Sequence, residues 1–259
     1  MLFRSLPIIA LASLTALASG SANAYATFSG VDVNGSPTRL PSTPNSAAAD
    51  SLFRSMLTGV GTETFETQTV GAGAGLVLNF GSAGTATLTG GGGRVTATTS
   101  GAGGTISVGR YSVPGGTNYW DVTASAANSF QINFSQEIAA FGFYGIDIGD
   151  FDGAVQLDFL NGANQVISSL NVPSAARAFA DGSVLYFGVI ASSSAELFRS
   201  IRFNTTGGSG TTTDVFGFDS MTVGTQAQVI PPGTVPEPGS LALVGAALVG
   251  LGYARRRRG

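Results

Sequence analysis

Phe130-Gln131-Ile132-Asn133-Phe134-Ser135, followed by Ile138-Ala139-Ala140-Phe141-Gly142-Phe143-Tyr144-Gly145-Ile146-Asp147-Ile148, is the stretch that decides the fold. Side chains of an extended chain point alternately to opposite faces, so Phe130, Ile132 and Phe134 share one face and Gln131, Asn133 and Ser135 share the other. That is a strand with one dry face and one wet face. The run 138–148 has no wet face and predicts a central strand covered on both sides. Asp147-Ile148-Gly149-Asp150-Phe151-Asp152-Gly153 closes it, and Val155, Leu157 and Phe159 alternate again. Asn161-Gly162 then marks a tight turn before a returning strand over 166–172.

Working outward, 184–190, 200–204 and 215–223 read as further strands, and 76–78 and 85–88 as short strands on the amino-terminal side. The glycine run 90–93 predicts a flexible hairpin turn. A phosphate loop would require Gly-Lys-Ser or Gly-Lys-Thr, and the chain has no lysine. One short helix is expected, capped by Asn45 or Ser46, filled by 47–57 and ended by Gly59, with Leu52, Phe53, Met56 and Leu57 at helical spacing. Residues 25–44 read as an irregular lead-in.

Short strands, Gly-rich and Asn-rich turns and no alternation of strand with helix predict an all-β, two-layer antiparallel β-sandwich. A jelly-roll order, like that of carbohydrate-binding modules, is the favoured topology, and a fibronectin-like or immunoglobulin-like sandwich is the alternative. The expected organisation is a signal peptide over 1–24, a lead-in with the helix over 25–60, the sandwich over 61–224, a linker over 225–235 and a sorting tail over 236–259.

The two ends read as processing segments. Arg4, the apolar run 6–17 and Ala22-Asn23-Ala24 have the form of a secretory signal, cleaved so that the mature chain starts at Tyr25. At the other end stand Pro236-Glu237-Pro238, the apolar run 241–254 and Arg255-Arg256-Arg257-Arg258. Four arginines hold a terminus on the cytoplasmic side, so the order is motif, transmembrane helix, positive stop. The run is short for a bilayer core of about 30 Å at about 1.5 Å per residue, and snorkelling arginine stems and local thinning make up the difference.

These residues resemble the PEP-CTERM sorting tail of exported Gram-negative proteins. The resemblance implies recognition of Pro236, Glu237 and Pro238 by an exosortase, transient anchoring in the inner membrane, and release or transfer to the cell surface or extracellular matrix. The segments Gly61-Thr62-Glu63-Thr64-Phe65-Glu66 and Phe141-Gly142-Phe143 through Asp150 are similar, more loosely, to the body of such proteins. The family's association with polysaccharide producers implies exopolysaccharide as a partner.

Composition restricts the chemistry. The chain of 259 residues has twelve basic and fifteen acidic side chains, with no histidine and no cysteine. Without Arg4, Arg255–Arg258 and Glu237, seven basic groups remain against fourteen acids, a net charge of −7. An acidic domain does not suit a nucleic-acid partner. Without His or Cys there is no Ser-His-Asp triad, no Cys-His dyad and no zinc site from those ligands. A non-enzymatic role is expected, and the competing class is an envelope polysaccharide hydrolase working through aspartates.

Two carboxylate sets are candidates for a structural calcium: Asp147, Asp150 and Asp152, and Glu66 with Asp219 if first and last strands are neighbours. Capping of turns is the favoured role for both. Tyr119 and Trp120, beside a Pro-Gly-Gly turn, are candidates for a sugar platform, against the favoured reading of Trp120 as core.

Overall fold

The computed structural model describes residues 25–101, 104–113, 115–125, 129–149, 154–173, 181–206 and 213–231. Two antiparallel sheets face each other. The first runs β1 (Ala26–Asp32), β11 (Val184–Ile190), β8 (Ala140–Ile146), β13 (Thr213–Gly224), β6 (Asn118–Ser125), β5 (Arg94–Ala97), with β2 (Gly61–Glu63) also paired to β13. The second runs β10 (Val166–Asn171), β9 (Ala154–Leu160), β12 (Phe198–Thr206), β7 (Phe130–Ile138), β4 (Thr85–Thr89), β3 (Leu76–Asn79).

The core between the sheets follows from the alternation. Phe130, Ile132 and Phe134 of β7 are buried while Gln131 and Asn133 stay half-exposed. Phe218 of β13 is the hub: its ring lies 5.1 Å from Phe143, 5.4 Å from Phe130, 6.0 Å from Phe203, 6.2 Å from Phe65 and 6.4 Å from Phe141. Buried aromatic rings at these distances add to the stabilisation from area alone.

The apolar run divides at Ala139, whose N–H donates to Gly224 O at 2.9 Å. Ile138 ends β7, and all seven residues of β8 are buried. Phe141 and Phe143 point into the core between the sheets, whereas Ala140, Tyr144 and Ile146 point into a second, outer apolar cluster. The helix α1 (Pro44–Ser55) builds that cluster by packing Ala49 and Phe53 on β8 and β11. Gly142 and Gly188 are directly opposite each other across these strands. An added Cβ would meet the Phe53 ring at 3.0 Å and 2.8 Å respectively, so the two glycines form the slot in which it sits.

Three expectations are corrected. Residues 25–44 contain a strand: β1 pairs with β11 from Ala26↔Ile190 to Asp32↔Val184. Its weakly patterned sequence is held in place by its partner and by α1. The helix starts at Pro44, where a missing N–H costs nothing, and its cap is Asp32. Asn45 N and Ser46 N donate to the Asp32 carboxylate at 3.0 and 2.8 Å, and Ser46 Oγ at 2.6 Å. Of the expected apolar face, Phe53 and Leu57 are buried and Leu52 is exposed. The glycine run 90–93 is not a hairpin, because β4 and β5 lie in different sheets; it carries the chain from one sheet to the other. Gly93 does this against the Trp120 indole, where a Cβ has no room.

Candidate functional site

The first part of the aromatic passage, with Tyr111 and Val113, packs on the outer face of the first sheet beside α1, and its last residues, Asn118 to Trp120, open β6. Tyr111 and Val113 join the outer cluster against Tyr144, Ile146, Val184 and Tyr186. Tyr111 Oη donates to Gly182 O and accepts from Leu40 N at 3.2 Å, and the Arg39 guanidinium lies 5.7 Å from its ring centre. Tyr119 and Trp120 are both completely buried. Burial pushes the Tyr119 phenol up to about 12, with the Asp121 charge adding to the rise. Trp120 is stacked 6.2 Å from Phe65 in the core. Neither ring offers a face to solvent, which corrects the platform reading of Tyr119 and Trp120: both lie in β6, buried on opposite faces of the first sheet.

Glu66 and Asp219 are brought into one neighbourhood, since β2 pairs with β13 from Met221↔Glu63 to Val223↔Gly61. Asp219 sits where the register of β13 shifts, just before Ser220 at φ 49. Its Oδ2 accepts from Ser112 Oγ at 2.9 Å and Val113 N at 2.8 Å, and its Oδ1 from Ser220 N at 2.6 Å. Glu66 Oε1 accepts from Thr117 N and Asn118 N, both at 2.9 Å. Both carboxylates therefore fasten the covering segment to the sheet. Burial pushes the Asp219 carboxyl well above the usual range; the three donors pull it back, and the Glu66 charge adds a smaller upward push.

At the far end of β8, Asp147 adopts φ 69 and accepts Gly182 N at 3.0 Å. Arg110 pairs with Asp121 at 2.8 Å and lies 3.9 Å from Asp147. Asp150 and Asp152 lie outside the described residues. Among the described residues no three acidic groups converge as a metal site. Glu66, Asp147 and Asp219 each direct an oxygen at backbone N–H donors.

A continuous polar surface lies on the outer face of the second sheet. Registers align Thr89 with Gln131, Gln131 with Arg202, Arg202 with Asp158 and Asp158 with Ser169, a row across five strands. Four interstrand steps make it about 19 Å long. Asp158 anchors it, accepting from Ser169 Oγ at 2.6 Å, Arg202 Nη2 at 2.9 Å and Asn204 Nδ2. Gln131 Nε2 donates to Asn133 Oδ1 at 2.7 Å, and Asn133 Nδ2 to Thr89 Oγ1 at 3.2 Å. The alternation in 130–135 predicts the polar side of β7, but only the strand order reveals which residues of β4, β9, β10 and β12 extend it.

The fold and this face define a two-sheet antiparallel β-sandwich with one covered outer surface and one hydrogen-bonding outer surface. Residues 234–258 match the family model of the PEP-CTERM protein-sorting motif, so the chain carries that motif, which implies processing by an exosortase. Pro236, Glu237, Pro238 and Arg255–Arg258 fall within the match and, like Ala22 and Ala24, lie outside the described residues. No helix among the described residues is long and apolar enough to cross a membrane. No curated protein matches the chain.

Among solved structures, the K2 cleaved adhesin domain of Lys-gingipain is similar at 12% identity over 63% of this chain and 97% of that one, with a TM-score of 0.36. A DUF4465 family protein from Bacteroides ovatus is 11% identical over 77% and 98%, with a TM-score of 0.34. The enzymatically active domain of tailspike protein 4 from bacteriophage CBA120 is 10% identical over 65% of this chain and 21% of that one, at 0.31. At these identities and scores they assign nothing to this chain.

Proposed function

We propose that the protein is exported across the inner membrane of a Gram-negative bacterium, cleaved by signal peptidase after Ala24, held transiently by its C-terminal apolar helix, and passed by an exosortase to the cell surface or extracellular matrix. The match of residues 234–258 to the PEP-CTERM motif carries this reading. Outside the membrane the sandwich works as a non-enzymatic binding or structural domain, with exopolysaccharide as its partner. We read strands β6 to β13 as a jelly roll; the order β11-β8-β13-β6 in one sheet and β10-β9-β12-β7 in the other supports this.

The outer face of the second sheet is the surface suited to a neutral, hydroxyl-rich polymer. Its amides and hydroxyls both donate and accept, and Arg202 is held by Asp158, so the row presents fixed donors without a net positive field. Co-sedimentation of the exported protein with exopolysaccharide tests it. The paired substitution Gln131→Ala and Asn133→Ala is expected to lower retention at least several-fold with an unchanged melting temperature. Equal retention would move binding off this face, and release of sugar by the unaltered protein would favour the hydrolase reading.

A further inference from the structure

Glu196, in the 3-10 turn Ser194–Glu196, is a buried carboxylate of which only one oxygen is engaged. It is 4% exposed. Its Oε2 accepts from Ser192 N at 2.5 Å, and its Oε1 is buried with no hydrogen-bond partner. A buried carboxylate oxygen left in that state is costly, so the site calls for a cation or a strong donor. The neighbouring residue is Tyr25. Its Oη donates to Glu196 O at 2.5 Å, and its ring stacks 4.8 Å from Phe159 and lies edge-on to Phe198 at 6.2 Å.

The register brings the chain to the same place: β1 begins with Ala26 opposite Ile190, so Tyr25 enters the sheet beside the turn that follows β11 and contains both Ser192 and Glu196. The hydrogen bond of Tyr25 Oη to Glu196 O fixes residue 25 next to that carboxylate. Tyr25 also follows the Ala22-Asn23-Ala24 cleavage site. Hydrolysis there adds water across the Ala24–Tyr25 peptide bond: Ala24 leaves with a carboxylate, and Tyr25 keeps the nitrogen as an ammonium at neutral pH.

We propose that the α-ammonium of Tyr25, created by signal cleavage, pairs with Oε1 of Glu196 and locks the first strand onto the sandwich. The proposal rests on the export reading above. In the uncleaved chain the same nitrogen is an amide, which can donate a hydrogen bond but cannot neutralise the carboxylate. Docking of β1 is therefore completed only after export.

The chain has no lysine, so in the processed protein the α-amine is the sole aliphatic amine, and an amine-reactive acetyl ester reports it alone. The exported protein is first weighed intact, then labelled folded and in urea at the same neutral pH. The expected result is a first residue of Tyr25 and labelling about tenfold or more slower in the folded state, a factor worth about 1.4 kcal/mol. Glu196→Gln, which keeps an acceptor for Ser192 N, should restore most of the rate. A first residue other than Tyr25 overturns the cleavage reading and the pair together. Tyr25 first with equal rates, or slow labelling that Glu196→Gln leaves unchanged, overturns the pair alone. Should Glu196→Gln not fold, protein acetylated in urea and refolded serves: its melting temperature is expected to fall by several degrees, and an unchanged value refutes the pair.

Discussion

Replacing Phe53 by Ala tests whether α1 is held by the slot between Gly142 and Gly188. The ring is fully buried, 5.6 Å from Phe28 and 5.8 Å from Tyr186, and a Phe-to-Ala change at such a site costs about 3–5 kcal/mol. Gly188→Ala works from the other side. Its methyl group would lie 2.8 Å from Phe53 Cδ2 and 3.1 Å from Cγ, an overpacking worth about 1–3 kcal/mol. For a domain of this size each kcal/mol shifts the melting temperature by about 2–4 °C. The two losses should not add. Once the ring is gone the new methyl fills part of its cavity, and the cost of Gly188→Ala in the Phe53→Ala background should fall toward zero. The remaining contact, Tyr186 Cε1 at 3.1 Å, limits the relief. Chemical denaturation of the four proteins gives the coupling energy, expected at about 1–2 kcal/mol. Strict additivity would refute the slot.

Asp219 makes a pH prediction. Burial raises its folded carboxyl pKa above the unfolded value, so its contribution is fully present below the unfolded pKa, about 3.9, and is lost as pH rises through the folded pKa. The melting temperature of the unaltered protein minus that of Asp219→Asn should therefore decrease as pH rises above the unfolded pKa; a constant or increasing difference contradicts the assignment. Because Glu66, Asp147 and Asp219 face N–H donors, melting temperatures in calcium and in chelator are expected to coincide, and a clear rise with calcium would show a site built from other residues.

The core was largely legible because it follows from period-two patterning that needs no partner. Phe130, Ile132 and Phe134, the doubly covered run beyond them, and the closing strand with Phe216 and Phe218 all lie where the alternation puts them. What failed depends on contacts between distant residues. The strand at Ala26–Asp32 is fixed by pairing with β11, and the cap of α1 is a carboxylate twelve residues before the first helical position. Pro, Gly and Asn flank Tyr119 and Trp120 and suggest a surface platform beside the favoured core reading of Trp120; both rings are buried because they belong to β6, with a neighbouring strand on each side. The polar row needed the lateral order of β4, β7, β12, β9 and β10, which no local pattern encodes. Glu196 had no signal at all, since a single acid in a serine-rich turn reads as solvated.

The most direct test of the whole account is the intact mass of the protein recovered from the cell surface of a host with an exosortase, beside a variant with Pro236, Glu237 and Pro238 replaced by alanine. The account predicts that the unaltered protein begins at Tyr25 and lacks Arg255–Arg258, while the variant keeps those arginines and stays in the inner membrane. Recovery of both proteins from the same fraction, each still carrying its arginine cluster, would contradict it.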